Sequence, residues 1–225
     1  MKPRALFFLF LATCPFAQPL FAGTASASLE PSPFRDSTPA RYSAVSSVVM
    51  QYRWFKFPAL GVITVDTRKH NFALVGLSQL GINVFELSET SGSIKSHMPG
   101  KLLERRPEIA AGAAADVRQM FFNFTPPPEA RRLPDANTKK NQAVFQQSTP
   151  TGMLEYRFDN KTGHLLEKRF SVPRQFFFGS SVVWQVNYED YALIGNKAYP
   201  RVIHFKQRRF HYAITLFLKE IRIKP

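Results

Sequence analysis

The stretch that decides the fold class is MLEYRFDNKTGHLLEKRFS, from Met153 to Ser171. Apolar and polar side chains alternate from Leu154 to Asp159, as they do in a strand with one buried face. Its last eight residues, HLLEKRFS, form a second run of strand length. Between the two runs stands NKTG (Asn160–Gly163), whose Asn and Gly residues favour a tight turn. The stretch therefore predicts an antiparallel β-hairpin.

Runs of similar length and composition flank this hairpin on both sides, separated by short polar gaps. Together with the two strands of the hairpin, five runs precede a single helical stretch and six follow it. The fold class that we predict is mainly β (α+β). A single, strongly curved antiparallel sheet of about eleven strands forms an incomplete barrel, which one principal helix caps. The predicted strands are Val48–Phe55, Leu60–Thr67, Phe72–Leu77, Ile82–Glu89, Ser93–Met98, Ala143–Ser148, Met153–Asp159, His164–Ser171, Ser181–Tyr191, Arg201–Gln207 and Phe210–Ile223.

The predicted helix is the Ala-rich stretch Glu108–Phe122, EIAAGAAADVRQMFF. Pro107 suits the first helical turn, and the three prolines Pro126–Pro128 prevent the helix from continuing. We expect this helix to act as a lid, and we expect the basic stretch Arg131–Asn141 after it to be a loop. The apolar positions that recur at spacings of four, four and three, and so predict its buried face, are Ile109, Ala113, Val117 and Met120.

The first residues have the three parts of a secretory signal peptide. Lys2 and Arg4 provide the positive start, and Ala5–Cys14 is an unbroken apolar run that is too short to cross a bilayer as a helix. Ala25–Ala27 fits an A-x-A cleavage site. We therefore predict that residues 1–27 are a signal peptide and that the protein is exported to the periplasm.

The remaining chain divides into an arm and one domain. Residues 28–42 are rich in Pro, Ser and Thr and predict a flexible N-terminal arm, and residues 43–225 predict the half-barrel domain. Cys14 allows two interpretations. The motif LATC can be an apolar part of a signal peptide that is cut away, or a poor lipobox whose cysteine is acylated and attaches the protein to the outer membrane.

Composition limits the chemistry that the chain can support. A single Cys in 225 residues excludes an intramolecular disulfide and a Cys-rich zinc site. No catalytic motif is present, and the five histidines show no metal-binding spacing, so we expect no enzyme activity, cofactor or metal. The formal net charge of +14 favours an anionic membrane surface or an acidic partner. Export argues against nucleic acid as a partner.

The 22 phenylalanines are the second compositional excess. Large aromatic side chains on the inner side of a curved sheet either fill the core or line an apolar pocket for a ligand, and composition leaves both open. The candidate cavity or core aromatics, chosen from strand alternation, are Trp54, Phe72, Phe85, Phe158, Trp184, Tyr188 and Phe205.

Three segments resemble the LolA/LolB family of lipoprotein localisation factors. NFALVGLSQLGINVFEL (Asn71–Leu87) resembles the central hairpin of LolB, with its Leu-Gly loop. WQVNYEDY (Trp184–Tyr191) and YPRVIHF (Tyr199–Phe205), followed by a last long strand, resemble the end of the same fold. The resemblance implies an incomplete β-barrel with an apolar cavity that accommodates acyl chains. It also implies that Leu80, on the loop between the third and fourth strands, projects into solvent and serves in membrane delivery.

The expected function is therefore a non-catalytic carrier. It would hold a lipid or the acyl chain of a lipoprotein in an apolar cavity and deliver it to the membrane. One alternative is an envelope interaction protein with a filled core and a basic docking face. Another is a lipid-modifying hydrolase, which would require His204 or His164 beside a carboxylate or Ser inside the cavity.

Overall fold

The computed structural model describes residues 39–97, 107–134, 141–173, 179–194 and 197–224. Within these ranges the chain forms twelve strands and one helix, five strands before the helix and seven after it. The elements are β1 (Arg41–Tyr52), β2 (Phe55–Asp66), β3 (Asn71–Leu77), β4 (Asn83–Thr90), β5 (Ser93–His97), α1 (Pro107–Phe121), β6 (Arg131–Arg132), β7 (Gln142–Thr149), β8 (Gly152–Asp159), β9 (Leu165–Pro173), β10 (Ser180–Ile194), β11 (Lys197–Gln207) and β12 (Tyr212–Ile223).

The predicted fold class is confirmed. All twelve described strands belong to one antiparallel sheet in the order β5-β4-β3-β2-β1-β12-β11-β10-β9-β8-β7-β6, and the sheet is open rather than closed into a barrel. The decisive hairpin is present as β8 and β9, with Met153 opposite Ser171 and Glu155 opposite Arg169. Asp159 fixes the start of its turn, because its carboxylate accepts hydrogen bonds from the backbone N–H groups of Lys161 and Thr162.

Two assignments differ from the sequence prediction. Arg131 and Arg132 were expected in a loop, but they form the short strand β6, which pairs with β7. The arm predicted for residues 28–42 ends too late, because β1 begins at Arg41 and Tyr42 is fully buried. β1 pairs with β2 on one side and with β12 on the other, and these pairings stabilise a strand at Arg41 and Tyr42 although the sequence before them is rich in Pro and Ser. The predicted signal peptide, with Cys14, lies outside the described residues.

A single seam joins the two halves of the sheet. β1 pairs with β12, from Tyr42 opposite Ile223 to Tyr52 opposite Tyr212. Every other strand pairing in the described sheet joins strands that are neighbours in sequence. A hydrogen bond between the hydroxyls of Tyr42 and Tyr199 reaches across β12, and both tyrosines are buried.

One face of the sheet, called here the inner face, carries the helix and the core. Strand alternation places one side chain in two on this face, so that Val186, Tyr188, Ile203 and Phe205 are all buried from adjacent strands. The helix adds its own buried stripe. Ala110, Ala114, Val117, Met120 and Phe121 pack into the same apolar cluster.

The predicted buried face of the helix is half wrong. Val117 and Met120 are buried as expected, but Ile109 is exposed and Ala113 is only partly buried. The stripe runs instead through Ala110 and Ala114, one residue further along. Small alanine side chains let the helix approach the large aromatic side chains of the sheet, whereas Ile109 stands in the first turn at the margin of the core.

Candidate functional site

Five of the seven aromatic residues predicted for the inner side lie in the closed core beneath α1. Each is at most 8% exposed, and all pack with the helix in one continuous cluster. The sequence alone did not distinguish a core position from a cavity-lining position for these residues, and the structure places them in the core. These residues are Phe72, Phe158, Trp184, Tyr188 and Phe205.

The other two predicted aromatics lie elsewhere. Trp54 is 74% exposed in the turn between β1 and β2, so it lies outside the core. The chain reverses at Arg53, which adopts a φ of 54°, and this reversal breaks the alternation on which the assignment rested. Phe85 is half-buried on β4, and its ring lies over Gly76, where a Cβ atom would overlap it.

Polar contacts from β4 and β10 hold α1 against the inner face. The Arg118 guanidinium binds the Glu89 carboxylate on β4, with Nη1 2.6 Å from both oxygens. The Tyr188 hydroxyl on β10 lies 3.2 Å from each of two carbonyl oxygens in the last turn, those of Gln119 and Met120. Movement of the helix as a lid would therefore break an ion pair and uncover buried carbonyl groups.

Lys168 is the least expected residue of the core. Its side chain is 2% exposed, and its ammonium group donates a hydrogen bond to the Phe122 carbonyl at 2.7 Å. The rings of Phe124 and Tyr188 lie 5.5 and 5.8 Å from Nζ. Burial lowers the pKa of Lys168 from 10.5 to about 7, because the charged form loses its hydration. No carboxylate pairs with it within the described part of the chain.

Asp116, on α1, is a second buried ionisable group. The Tyr212 hydroxyl on β12 donates a hydrogen bond to its carboxylate. Burial raises the pKa of Asp116 from 3.8 to about 6, and the hydrogen bonds from Tyr212 and Gln207 counteract only part of that rise. Helix and sheet are thus linked on both sides of the seam.

Beyond the helix, one end of the inner face is apolar and uncovered. Met50 lies opposite Phe57 and Tyr52 opposite Phe55, so these four side chains share the face that also carries the core. All four are exposed, Phe55 and Phe57 to just over half of their area. Trp54 extends the surface, with its ring 5.6 Å from that of Phe55. We call these five residues the apolar end.

A basic pocket of about 410 Å³ opens next to the apolar end. It lies where the β1–β2 turn meets the β11–β12 turn, which are joined by a 3.4 Å hydrogen bond from the Arg53 N–H to the His211 carbonyl. Its lining combines several basic side chains with a few neutral ones: Gln51, Arg53, Lys206, Gln207, Arg208, His211, Tyr212 and Ala213. Sequence reasoning missed this pocket, because its basic residues come from two turns far apart in the chain.

Solved structures share this arrangement of sheet and helix. A LolA-superfamily protein from Nitrosomonas europaea matches with a TM-score of 0.57 and 9% identity, over 91% of this chain and 95% of that one. This chain shares the fold of that protein. A domain assigned to outer membrane lipoprotein sorting, from Vibrio parahaemolyticus, matches with a TM-score of 0.52 and 9% identity, over 84% of this chain and 88% of that one. A DUF1329 family protein from Desulfovibrio piger matches with a TM-score of 0.54 and 7% identity, over 83% and 87%. No family model and no curated protein matches the sequence.

In this fold, the turn between β3 and β4 presents Leu80 to solvent. Leu80 is 86% exposed, as the resemblance predicted. Hydrogen bonds hold the turn on both sides of it: Ser78 N–H donates to the Ile82 carbonyl at 2.8 Å, and Gly81 N–H donates to the Ser78 carbonyl at 2.9 Å. Gly81 adopts a φ of 77°, which a glycine accommodates without strain.

The histidines named for the hydrolase alternative do not lie inside the fold. His204 stands on β11 between the buried Ile203 and Phe205, so its side chain points to the outer face. There it contacts the Thr215 hydroxyl at 3.0 Å and Glu189, a well-exposed residue, at 3.7 Å. His164 stacks on Tyr191 with ring centroids 4.1 Å apart.

The described residues contain no cluster of three or more His, Cys, Asp or Glu side chains that could hold a metal ion. None of their helices has the length and apolarity that crossing a bilayer demands.

Proposed function

We propose that this protein is an exported, non-catalytic carrier that holds the acyl chain of a lipid or lipoprotein and delivers it to a membrane. The observation that carries the proposal is the apolar end, where four large side chains of the inner face stand uncovered beside a filled core. The LolA-superfamily fold supports a carrier, and the N-terminal pattern of residues 1–27 supports work in the periplasm.

The acyl chain would lie on the apolar end rather than beneath α1. Aromatic side chains occupy the space under the helix, and contacts from β4, β9 and β10 hold the helix in place. Covering about 200 Å² of apolar surface contributes about 5 kcal/mol before ordering costs. Such binding is strong enough to hold a tail and weak enough to release it to a bilayer, so that transfer needs no covalent step.

The test compares acyl binding by the native protein and by variants of the apolar end. Titration with a fluorescent fatty acid should show saturable binding, and native mass spectrometry should show a co-purified lipid. Replacing Phe55 and Phe57 with Ser should weaken fatty-acid binding at least about tenfold, because two large side chains leave the surface. Phe217→Ser is the matched control, since Phe217 is an exposed phenylalanine on the opposite face of the sheet. Equal binding by all three proteins would contradict the proposal.

Leu80 supplies the delivery step in this proposal. An exposed leucine on a rigid turn can enter the membrane surface while the cargo transfers. Leu80→Glu should keep the fold and the acyl binding but impair delivery to vesicles in a reconstituted transfer assay. Leu193→Glu, at another exposed leucine on β10, is the control and should deliver normally. Unchanged delivery by the Leu80 variant would remove this role.

The filled core supports a second candidate, an envelope interaction protein with a basic docking face. Such a protein would bind neither fatty acid nor lipid and would instead retain an acidic partner through its surface charge. Absence of lipid in the native mass spectrum, together with failed fatty-acid titration, would favour this candidate over the carrier.

A further inference from the structure

Three neighbouring turns stand at the same end of the sheet, and each places a large apolar side chain in solvent. The β1–β2, β3–β4 and β11–β12 turns share this end because the strands are antiparallel and β12 pairs with β1. Their most exposed apolar residues are Trp54 at 74%, Leu80 at 86% and Phe210 at 58%. Isolated exposed apolar residues are common, but here three stand on the turns of neighbouring hairpins. We call the three turns, with residues 51–57, 77–83 and 206–213, the apolar rim.

The charge of the apolar rim is entirely positive. Its residues include three arginines and one lysine in the two turns beside the seam, together with Lys206, and no Asp or Glu. The guanidinium groups of Arg53 and Arg209 lie over the rings of Tyr52 and Phe210, at 5.6 and 5.5 Å from their centroids. Such pairs keep a cation next to an aromatic ring that can enter an apolar medium.

The basic pocket lies within this rim. Arg53, Lys206, Arg208 and His211 line its 410 Å³ together with neutral side chains. Guanidinium groups bind phosphate oxygens with paired N–H donors, so the pocket suits a phosphate-bearing headgroup. The buried carboxylate of Asp116 contacts one lining residue, Tyr212, from which it accepts a hydrogen bond.

We infer that the apolar rim is a docking surface for an anionic phospholipid bilayer. In the docked state Trp54, Phe210 and Leu80 enter the headgroup region, and the basic pocket holds a lipid phosphate. Aromatic side chains beside basic ones favour this interface, where a ring is half in hydrocarbon and a cation meets lipid phosphate. The inference deepens the proposed function by naming the surface that meets the membrane, and it is tested without any cargo.

The experiment measures binding of the mature protein to vesicles by sedimentation. Vesicles with one third phosphatidylglycerol should bind the protein, and pure phosphatidylcholine vesicles should bind it at least about tenfold more weakly. Binding should weaken as salt is raised, because salt screens the lipid charge. Trp54 reports the orientation by fluorescence, because the other tryptophan, Trp184, is buried in the core. Its emission should shift to the blue on binding, and brominated lipids should quench it.

Matched variants locate the surface. Arg208→Gln with Arg209→Gln should weaken binding to phosphatidylglycerol vesicles about 25-fold, since each basic side chain near the bilayer contributes about fivefold. Arg68→Gln with Lys69→Gln removes the same charge from the β2–β3 turn at the opposite end of the sheet and should change binding less than about twofold. Trp54→Ser should reduce binding and abolish the blue shift.

Each outcome decides the inference. Equal loss in the two double variants, equal binding to both vesicle types, or no quenching of Trp54 would overturn it. Fatty-acid titration without vesicles tests the carrier separately. A protein that binds fatty acid but not vesicles refutes the docking surface alone, and the reverse result refutes the carrier alone.

Discussion

Replacing Lys168 with Met would remove a buried ammonium group from beneath the end of α1. The pKa of this lysine in the folded protein, about 7, is lower than its ordinary value of 10.5. Between these two values the unfolded chain binds more protons than the folded one, so the stability of the native protein must rise with pH. The variant has no such group, and its stability should not follow this slope.

The size of the effect follows from the pKa values. One unit of pKa difference corresponds to about 1.4 kcal/mol, so the unfolding free energy should increase by about 3 kcal/mol between pH 7 and about pH 9.5. A methionine side chain in place of Lys168 would leave the Phe122 carbonyl without its donor, which costs about 1–3 kcal/mol at every pH and therefore adds no slope. Above about pH 10 the buried tyrosines reverse the trend, because the unfolded chain then loses their protons first.

Urea unfolding followed by circular dichroism, repeated across this pH range, measures the slope. The native protein should show the rise and the Lys168 variant should be flat. Lys95→Met is the control, since Lys95 is an exposed lysine on β5, and it should keep the native slope. A flat native curve, or an equal slope in the Lys168 variant, would refute the account of a lysine that loses its charge in the core.

Three other predictions concern the helix, the sheet and the N-terminus. Burial raises the pKa of the Asp116 carboxyl group, so the unfolding free energy of the native protein should fall by about 3 kcal/mol as pH rises from 3.8 to about 6. Asp116→Asn should abolish this fall. Gly76→Ala should lower stability by about 1–3 kcal/mol in thermal unfolding, since its Cβ would overlap the Phe85 ring. Gly112→Ala, at an exposed helical position with open space, should raise it by about 0.5–1 kcal/mol. Cys14→Ala should leave the intact mass of the exported protein unchanged if the signal peptide is cut away.

Specific results would contradict each of these. An Asp116→Asn protein that keeps the native pH slope would show that Asp116 is not the group that titrates. Equal changes in stability for Gly76→Ala and Gly112→Ala would show that overlap with the Phe85 ring does not destabilise the Gly76 variant. Loss of an acylated product after the Cys14 substitution would show that the cysteine is the mature N-terminus.

Strand alternation and turn chemistry were sufficient to predict the sheet. Each predicted strand has a counterpart, because one face of every long strand is buried and its period of two survives in the sequence. The two-residue strand β6 was missed, since a pair of arginines has no periodicity and forms its strand only by pairing with β7. The one-residue error in the helix face arose because many alanines make several helical faces equally apolar.

The candidate site was less predictable than the fold. Trp54 was placed on the inner side because VVMQYRWF alternates up to it, whereas the turn at Arg53 depends on a left-handed conformation that is uncommon for arginine. The buried Lys168 was not foreseen, since lysines are almost always at the surface. The burial of Lys168 depends on its contact with the Phe122 carbonyl at the end of the helix, and these two residues are 46 positions apart in the sequence.

The seam between β1 and β12 has a consequence for how the chain acquires its structure. Hairpins within β1–β5 and within β6–β12 can form from nearby residues, but the pairing of β1 with β12 must close a loop of nearly the whole domain. The chain loses the entropy of this loop closure once, when the two preformed meanders pair through β1 and β12. Because β12 is the last of the described strands, one edge of β1 stays unpaired until β12 has been synthesised. A nascent chain therefore exposes a strand edge that can pair with other chains, and a chaperone that prevents such pairing would be needed most at this stage.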